Sequence, residues 1–352
     1  MRSFAVWYNK IDKSIKENAK ADIHVNFWSQ LNYESNPDLC FFDFGIKVYD
    51  LSNVDFINIY CPFELRKEDV KDLGAKISNN SLINAIFNEN YAVIDGVPKH
   101  FIVRDNSITD NSEEKEQFVV YALNDQKEIT LEKLNKDKIK PDNPNIHYDS
   151  WGTIIRIETK DIIKNSTGLA SNIQNYYFRI RVVTNKSALN MITRKVNNVN
   201  IFKDTIETIE LFDFRMNDTR SCCDEIRDSF NYGGKFWVKS IHYLVMRKVS
   251  DSVTAEGTSY NCRLLEKDVW NKYIDDLEDN FVAYHFKIKS SKCVIDNESK
   301  EESVDNMVLL LKFRYRKATK WTVLAYILVA IFISILSNYI YDLLKKIFCE
   351  GL

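Results

Sequence analysis

The strongest hydrophobic pattern in this 352-residue chain is an uninterrupted apolar run near its C-terminal end. From Trp321 to Ile340 there are 20 residues without a charge, and 11 of them are Val, Leu, Ile or Phe. At ~1.5 Å of rise per residue, a helix of this length covers ~30 Å, the thickness of the hydrocarbon core of a bilayer. A buried core helix is the alternative, but such helices are seldom apolar on every side over this length. The pattern therefore predicts a transmembrane helix over 321–341 and a short tail over 342–352.

Upstream of this helix, apolar and polar residues alternate in many short segments, which is typical of half-buried strands. The clearest examples are the segments 40–51, 54–63 and Met307–Arg316. Ser52 and Asn53 separate the first two segments, which predicts a hairpin. Apolar periodicity over 64–88 predicts helical structure. The expected fold class is α+β: a strand-rich soluble region with sandwich-like sheets and a few short helices, followed by a single C-terminal transmembrane helix.

Composition suggests how the soluble region is divided. The segment 125–150 is rich in Lys, Asp and Asn and contains Pro141 and Pro144, so we expect a charged boundary there. It would separate an N-terminal α+β region, 1–124, from a C-terminal β-rich region, 151–316. Only a short basic joint, 317–320, lies between the last predicted strand and the transmembrane helix, which is too little for a flexible tether. We expect so short a joint to couple movement of the sheet to movement of the helix.

The charges that flank the transmembrane helix predict its orientation. Basic residues are concentrated before the helix, whereas only Lys345 and Lys346 follow it, partly offset by Asp342 and Glu350. By the positive-inside rule, we expect the strand-rich region to be cytoplasmic. We also expect a single-pass protein of the cell inner membrane. The same cations suit contact with anionic lipid headgroups. The membrane-flanking basic residues are Lys312, Arg314, Arg316, Lys317 and Lys320.

Composition and motifs do not indicate a catalytic site. The formal net charge is −2, which implies no global attraction to nucleic acid. The seven cysteines include no C-x-x-C spacing, and the five histidines include no H-E-x-x-H motif. We therefore predict no catalytic residue, no metal site, no cofactor and no enzyme, and we interpret each histidine as structural. An anchored enzyme is kept as a third hypothesis, because an active site can assemble from distant residues.

One predicted strand combines basic and aromatic residues. In Tyr176–Arg181, the side chains of Tyr177, Arg179 and Arg181 share one side of the strand, and Arg156 on an earlier strand could join them. Such a surface can hold phosphates while a ring stacks on a base, so it is our candidate ligand-binding site. The alternative is a solvated sheet face whose long side chains cover apolar surface.

Small and polar residues collect on one side of the predicted transmembrane helix. At ~100° per residue they share a face, mixed with Val323 and Ile327, while the opposite side is Ile, Leu, Val and Phe. This face suits packing against other helices or the lining of a pore. We expect a homo-oligomer, because one helix cannot enclose a channel. The residues of this pore or helix-packing face are Tyr326, Ala330, Ser334, Ser337, Asn338 and Tyr341.

A cytosolic β-rich region, a short basic joint and very few transmembrane helices resemble the membrane effectors of bacterial anti-phage systems, including nucleotide-gated and Hailong-type channel effectors. The resemblance is one of architecture over the whole chain, so no residue role is transferred. It implies a pore- or channel-forming effector gated by its cytosolic sensor domain, with a nucleotide or short oligonucleotide made by a partner enzyme as ligand. The alternative hypothesis is a membrane-tethered binding or scaffold protein whose helix is a passive anchor.

Overall fold

A computed structural model shows a strand-rich α+β fold with short helices and one long C-terminal helix, which confirms the predicted fold class. The structure describes residues 2–29, 39–97, 100–106, 116–124, 127–134, 152–160, 162, 173–196, 207–275, 277, 280–295, 298–316 and 320–349. The helices are α1 Asn80–Phe87, α2 Lys186–Leu189, α3 Asp224–Tyr232, α4 Lys267–Trp270 and α5 Lys320–Cys349, with 3₁₀ turns at Lys67–Asp69, Gly74–Lys76 and Thr219–Ser221.

The strands before residue 180 are β1 Ala5–Lys10, β2 Lys20–Trp28, β3 Leu39–Val48, β4 Val54–Cys61, β5 Val70–Asp72, β6 Tyr91–Val97, β7 His100–Asp105, β8 Gln117–Tyr121, β9 Ile129–Leu134, β10 Gly152–Glu158 and β11 Tyr176–Asn185. The later strands are β12 Thr193–Val196, β13 Glu207–Met216, β14 Trp237–Lys248, β15 Ser252–Ala255, β16 Asn261–Leu264, β17 Phe281–Lys289, β18 Ser291–Ile295, β19 Glu298–Glu302 and β20 Met307–Arg316.

The largest sheet has ten strands, of which nine follow the order β16-β17-β14-β2-β3-β11-β8-β7-β6 and the tenth, β5, pairs with β11. The early strands β2 and β3 occupy its centre and pair antiparallel with each other. β2 pairs in parallel with β14, and β11 pairs in parallel with β8. A second sheet has the order β1-β4-β10-β9, a third has the order β12-β13-β20-β15, and β18 pairs with β19.

One face of the large sheet is apolar and carries much of the core. Along β3, Phe42, Phe44 and Ile46 alternate with residues of the opposite face, as the two-residue period of a strand requires. The ring centroid of Phe42 lies 4.7 Å from that of Phe27 in β2 and 5.0 Å from that of Phe4. This packing fixes the register, because a slip by one residue would turn every apolar side chain to the other face.

The chain forms two compact units. The first comprises residues 1–193, 212–249 and 255–311 and contains the ten-stranded sheet. The second comprises residues 194–211, 250–254 and 312–352, which include parts of the sheet β12-β13-β20-β15 and helix α5. This division differs from the predicted boundary at 125–150, because β10 from the predicted C-terminal region pairs with β4 from the N-terminal region. Most of the segment 125–150 itself lies outside the described residues.

The predicted hairpin at Ser52 and Asn53 is wrong. β3 pairs with β2 and β11 in the large sheet, whereas β4 pairs with β1 and β10 in the second sheet. The two-residue turn signal predicts pairing between neighbours in sequence, but the chain changes sheets at this point. The predicted helical stretch 64–88 is also shorter than expected, since only α1 is an α-helix and the first half forms 3₁₀ turns and β5.

The C-terminal elements agree with their predictions. β20 spans Met307–Arg316 and buries Leu309, Leu311 and Phe313, while Arg314 is exposed. Among the described residues, one helix is long and apolar enough to cross a membrane, over the 24 residues Val323–Lys346 of α5, and its apolar window is not buried. The chain therefore carries one candidate membrane span on its C-terminal side. Residues 317–319 of the predicted joint lie outside the described residues.

Candidate functional site

The second face of the large sheet holds buried polar and charged side chains near the middle of the sheet. In β2, Asp22, His24 and Asn26 alternate with apolar residues, and in β3, Asp43 and Lys47 do the same. His24, Asn26, Asp43 and Lys47 are each at most 5% exposed. Removing such groups from water costs free energy unless they are hydrogen-bonded or ion-paired. Their concentration on one face makes this polar face the candidate functional site.

Strand register aligns the polar face into rows that run across five strands. The first row is Lys289, Ser240, Asp22, Lys47 and Tyr177, and the second is Lys287, His242, His24, Gly45 and Arg179. The third row is His285, Leu244, Asn26, Asp43 and Arg181. Cross-strand neighbours on one face lie ~4.5–5.5 Å apart, so side chains within a row are close enough to interact.

In the third row, Asp43 accepts hydrogen bonds from three side chains. Arg181 donates from Nε at 2.7 Å and from Nη2 at 2.9 Å, Trp28 donates from Nε1 at 2.9 Å, and the Tyr273 hydroxyl donates at 2.8 Å. Burial acts to lower the pKa of Arg181, but the charge and hydrogen bonds of Asp43 outweigh burial, and the net pKa is raised. Arg181 therefore stays charged, and the pair forms a buried salt bridge.

In the second row, Arg179 extends the same network. It donates from Nε to the Tyr273 hydroxyl at 2.5 Å and from Nη1 to the Tyr177 hydroxyl at 2.7 Å. Gly45 makes room for this arrangement, because a Cβ atom there would lie 2.1 Å from the Tyr177 hydroxyl oxygen. Arg179 Nη2 has no hydrogen-bond partner among the described residues.

These positions correct the predicted ligand-binding strand. Tyr177 and Arg179 do share one side of β11, but Arg179 is 0% exposed and Arg181 is 5% exposed. Arg156 does not join them, because it lies on β10 in the sheet β1-β4-β10-β9, where it forms an ion pair with Glu132. Alternation within one strand cannot distinguish a solvated basic face from a buried one whose counter-charge comes from a neighbouring strand.

A cavity of about 400 Å³ opens beside the first two rows, within the first unit. This volume lies in the range of small-molecule sites, ~300–1,000 Å³. The lining combines the polar face with aromatic and acidic residues from its surroundings. The lining residues are Asp22, His24, Lys47, Tyr49, Phe87, Glu89, Tyr91, Glu116, Lys239, Ser240, His242, Lys287, Lys289, Ser290 and Glu301.

Some charges of the cavity are already satisfied by the protein. Asp22 accepts hydrogen bonds from the Tyr49 hydroxyl at 2.5 Å and from Ser240 Oγ at 2.6 Å. Lys47 Nζ lies 2.8 Å from Glu116 Oε1. Burial raises the pKa of Tyr49, and the charge of Asp22 raises it further, so the hydroxyl stays protonated and continues to donate. These contacts hold one carboxylate, one ion pair and one ring in fixed positions around the cavity.

A β-bulge brings a further lysine into the cavity. Where β14 pairs with β2, the register shifts between Val238 and Ser240. Consecutive strand residues ordinarily point to opposite faces, yet Lys239 and Ser240 both line the cavity. A bulge inserts one residue and redirects side chains in this way. Lys239 Nζ lies 3.7 Å from the centroid of the Tyr49 ring.

Three histidines stand side by side on the polar face. The ring centroids of His24 and His242 are 4.7 Å apart, and His285 Nε2 lies 3.2 Å from His242 Nδ1. Burial lowers the pKa of His24 and of His242 far below the ordinary range. Burial and the charge of Lys287 lower the pKa of His285 to about 4. All three imidazoles are therefore neutral at neutral pH, and each offers one donor and one acceptor nitrogen.

This set of groups can bind a polar small molecule. The cavity supplies ammonium groups, neutral imidazoles and hydroxyls on a sheet whose register fixes their positions. Within the part of the chain that the structure describes, no group of three or more His, Cys, Asp or Glu side chains is arranged to hold a metal ion. Sequence reasoning missed the cavity because Asp22 and Ser240, which touch, are 218 residues apart in sequence. The available signal was the presence of Asp22, His24 and Asn26 at alternate positions of β2, and of Asp43 and Lys47 in β3, in strands that are otherwise largely apolar.

The predicted pore or helix-packing face lies on α5. Tyr326 is half-buried, and the exposed members of this face are Ala330, Ser334, Ser337, Asn338 and Tyr341. Among the flanking cations, Lys312 is half-buried and Arg314 is exposed, with its Nε 3.9 Å from Glu207 Oε2. Lys317 and the side chains of Arg316 and Lys320 lie outside the described residues.

No protein-family model and no curated protein matches this chain. The cavity and α5 are therefore the features of the described residues that bear on function.

Proposed function

We propose that the chain is a homo-oligomeric membrane effector, pore- or channel-forming, that is gated by a ligand bound to its cytosolic strand-rich region. The observation that carries this proposal is the mixed surface of α5. A passive anchor needs only apolar side chains, yet Ser334, Ser337 and Asn338 lie together on one side of this helix. In a bilayer, such groups are best satisfied by another helix or by water in a pore. The proposed partner is a second copy of the same helix.

The depth of these residues supports the proposal. At ~1.5 Å per residue, Ser334 lies ~16 Å along the candidate span that begins at Val323, close to the midplane of a ~30 Å hydrocarbon core. Polar groups near the midplane are furthest from the headgroup layers and from bulk water. Ser334 therefore gains most from a partner within the membrane.

The strand-rich region contains the site at which we propose that the gating ligand binds. The polar face keeps buried charged groups next to an open cavity, an arrangement that a ligand site explains and a purely structural sheet does not need. Glu301 lines this cavity and precedes the start of β20 at Met307 by six residues. Only residues 317–319 separate β20 from α5. A ligand-induced change near Glu301 can thus pass along the backbone to the helix.

A triple substitution tests the role of the helix. Ser334→Leu, Ser337→Leu and Asn338→Leu make α5 more apolar, so insertion is retained. Each interhelical hydrogen bond in a membrane contributes only ~0.6–2 kcal/mol, but the contributions sum over a ring of subunits. The triple variant should lose oligomers on cross-linking and lose conductance in planar bilayers. Phe332→Leu with Ile335→Leu changes the opposite side of α5 and should preserve both properties.

The scaffold hypothesis predicts the opposite result for the same triple variant. If the triple variant assembles and conducts like the unmodified chain, α5 is a passive anchor and the protein is a membrane-tethered binding or scaffold protein. Replacing α5 by an unrelated anchor should then preserve function.

The orientation and cellular setting belong to the same proposal. The basic flank favours a cytoplasmic strand-rich region at the cell inner membrane. A tag before residue 2 should resist external protease in intact cells and be digested after lysis, and digestion in intact cells would contradict this orientation. The architectural resemblance favours a role in anti-phage defence. Loss of phage protection by the triple variant but not by its control would support that role.

A further inference from the structure

We infer that the cavity binds a small phosphate-bearing molecule through Lys239, Lys287 and Lys289. The inference deepens the proposed function, because it names the ligand class of the proposed sensor region. It rests on the positions of these three lysines and on the bulge in β14.

The lysines of the cavity differ in how far their charges are already neutralised. Lys47 is buried and ion-paired with Glu116. By contrast, Lys287 and Lys289 form no ion pair with any described residue, and Lys239 contacts the ring of Tyr49. Lys287 and Lys289 are two residues apart on β17 and line the same cavity. Like charges held this close repel one another, so an anion between them is favoured over an empty site.

The bulge is an independent indication of a binding role. It interrupts regular pairing between two neighbouring strands of the large sheet, and its result is that Lys239 joins the lining of the cavity. Bulges that redirect a side chain are over-represented beside functional sites. A strand with a structural role alone would keep Lys239 on the opposite face from Ser240.

The histidines supply an uncharged part of the lining. His24 lines the cavity and is 5% exposed. His242 lines the cavity beside it. Both rings are neutral, so they can bond to the uncharged part of a ligand without adding to the positive charge.

The acidic residues limit the class of ligand further. Of the four carboxylates that line the cavity, Asp22 and Glu116 are already engaged by hydroxyls and by Lys47, and Glu301 accepts a hydrogen bond from Ser290 Oγ at 2.9 Å. The fourth, Glu89, is exposed, and its charge attracts Lys287. Carboxylates accept and do not donate, so the part of the ligand near Glu301 must carry hydroxyl or amino groups. A phosphate monoester carries up to two charges and three acceptor oxygens, which matches three ammonium groups. The ligand is thus a phosphate monoester that also bears hydrogen-bond donors.

A phosphate monoester with hydrogen-bond donors can belong to a free metabolite or to a lipid headgroup. The test is calorimetric titration of the full-length protein in detergent with inorganic phosphate, glucose 6-phosphate, glucose and a soluble short-chain phosphatidylinositol phosphate. We expect glucose 6-phosphate to bind and glucose not to bind. If the short-chain lipid binds and glucose 6-phosphate does not, the cavity is still a phosphate site, and the phosphate that it binds belongs to a lipid headgroup.

Matched lysine variants decide whether the cavity is the site. Lys287→Gln with Lys289→Gln should weaken phosphate-ester binding at least about tenfold, and Lys239→Gln should weaken it too. Lys13→Gln with Lys16→Gln removes two exposed lysines that do not line the cavity and should leave binding unchanged. Unchanged near-ultraviolet circular dichroism would show that the cavity variants are folded.

The inference is overturned if no phosphate-bearing probe binds, or if binding to the Lys287 and Lys289 double variant equals that of the unmodified protein. The α5 triple variant separates this result from the proposed function. It should bind the phosphate ester normally, so a failure of conductance or assembly does not affect the assignment of the cavity, and a failure of binding does not affect α5.

Discussion

Removing the Asp43 carboxylate should destabilise the strand-rich region strongly. In the folded protein this group is 0% exposed and accepts four hydrogen bonds, two of them from Arg181. Asp43→Ala leaves the Arg181 guanidinium buried without its counter-charge and removes the acceptor of Trp28 and Tyr273. Breaking a buried ion pair by deleting one partner costs ~3–5 kcal/mol. We therefore expect a loss of about that size in the free energy of unfolding.

The matched control is Glu64→Ala, which removes an exposed ion pair. Glu64 Oε1 lies 2.5 Å from Lys133 Nζ, and their side chains are 60% and 47% exposed. Water screens such a pair, so its removal should cost only ~0–1 kcal/mol. Thermal unfolding of the full-length protein in detergent, followed by near-ultraviolet circular dichroism, measures both. At ~2–4 °C per kcal/mol, Asp43→Ala should lower Tm by at least ~6 °C.

A second variant tests the physical reason for the loss. Asp43→Leu combined with Arg181→Met replaces both charges by apolar groups and should recover part of the lost stability, because no unpaired charge then remains at these two positions. The reasoning is refuted if Asp43→Ala lowers the free energy of unfolding by less than ~1 kcal/mol, since breaking a desolvated ion pair should destabilise the protein by more than that.

Three further outcomes are expected. Gly45→Ala puts a methyl group 2.1 Å from the Tyr177 hydroxyl, so urea unfolding should show a loss of ~1–3 kcal/mol, and unchanged stability would contradict the close approach. The pKa of His285 is about 4 when folded, against ~6.5 when unfolded, so its contribution to stability is complete above ~pH 6.5 and is lost as the pH falls towards 4. Unfolding measured across this range should depend less on pH in His285→Gln, and an identical slope would exclude this origin. Finally, raising the ionic strength should weaken phosphate-ester binding, because Lys287 and Lys289 are exposed; calorimetry in increasing salt measures this, and salt-independent binding would argue against a charge-based site.

The features that the sequence predicted well depend on local patterns. The apolar span within α5 and the half-buried strand β20 follow from the spacing of residues within one segment, and the structure has both. The hairpin at Ser52 and Asn53 failed because a turn signal does not say which sheet a strand will join. Alternation along β11 predicts that Arg179 and Arg181 share one side of the strand, but their burial depends on Asp43 and Tyr273, which are supplied by distant parts of the chain.

The cavity could not be derived from the sequence, because its lining residues come together only when distant strands pair in a particular register. Asp22, Ser240 and Lys289 form one row only after β2 has paired with β14 and β14 with β17. The bulge at Lys239 is likewise a property of two paired strands rather than of either strand alone. No spacing along the chain places His24, His242 and His285 together, so the sequence predicts only a structural role for each. Polar residues at alternate positions of β2, together with Asp43 and Lys47 in β3, were the one local sign of this face.

The strands of the large sheet that are synthesised first, β2 and β3, pair with strands that are synthesised much later, β14 and β11. β2 and β3 can pair with each other early, but the far edge of β3 stays open until β11 is made, and that of β2 until β14 is made. Contacts so distant in sequence slow folding, because loop closure must precede the contacts that stabilise it. During that interval Asp43 has no Arg181, and two rows of backbone donors and acceptors are unpaired. A chain interrupted before β11 therefore exposes open strand edges beside an uncompensated carboxylate, which makes such fragments prone to aggregation and to removal by proteolysis.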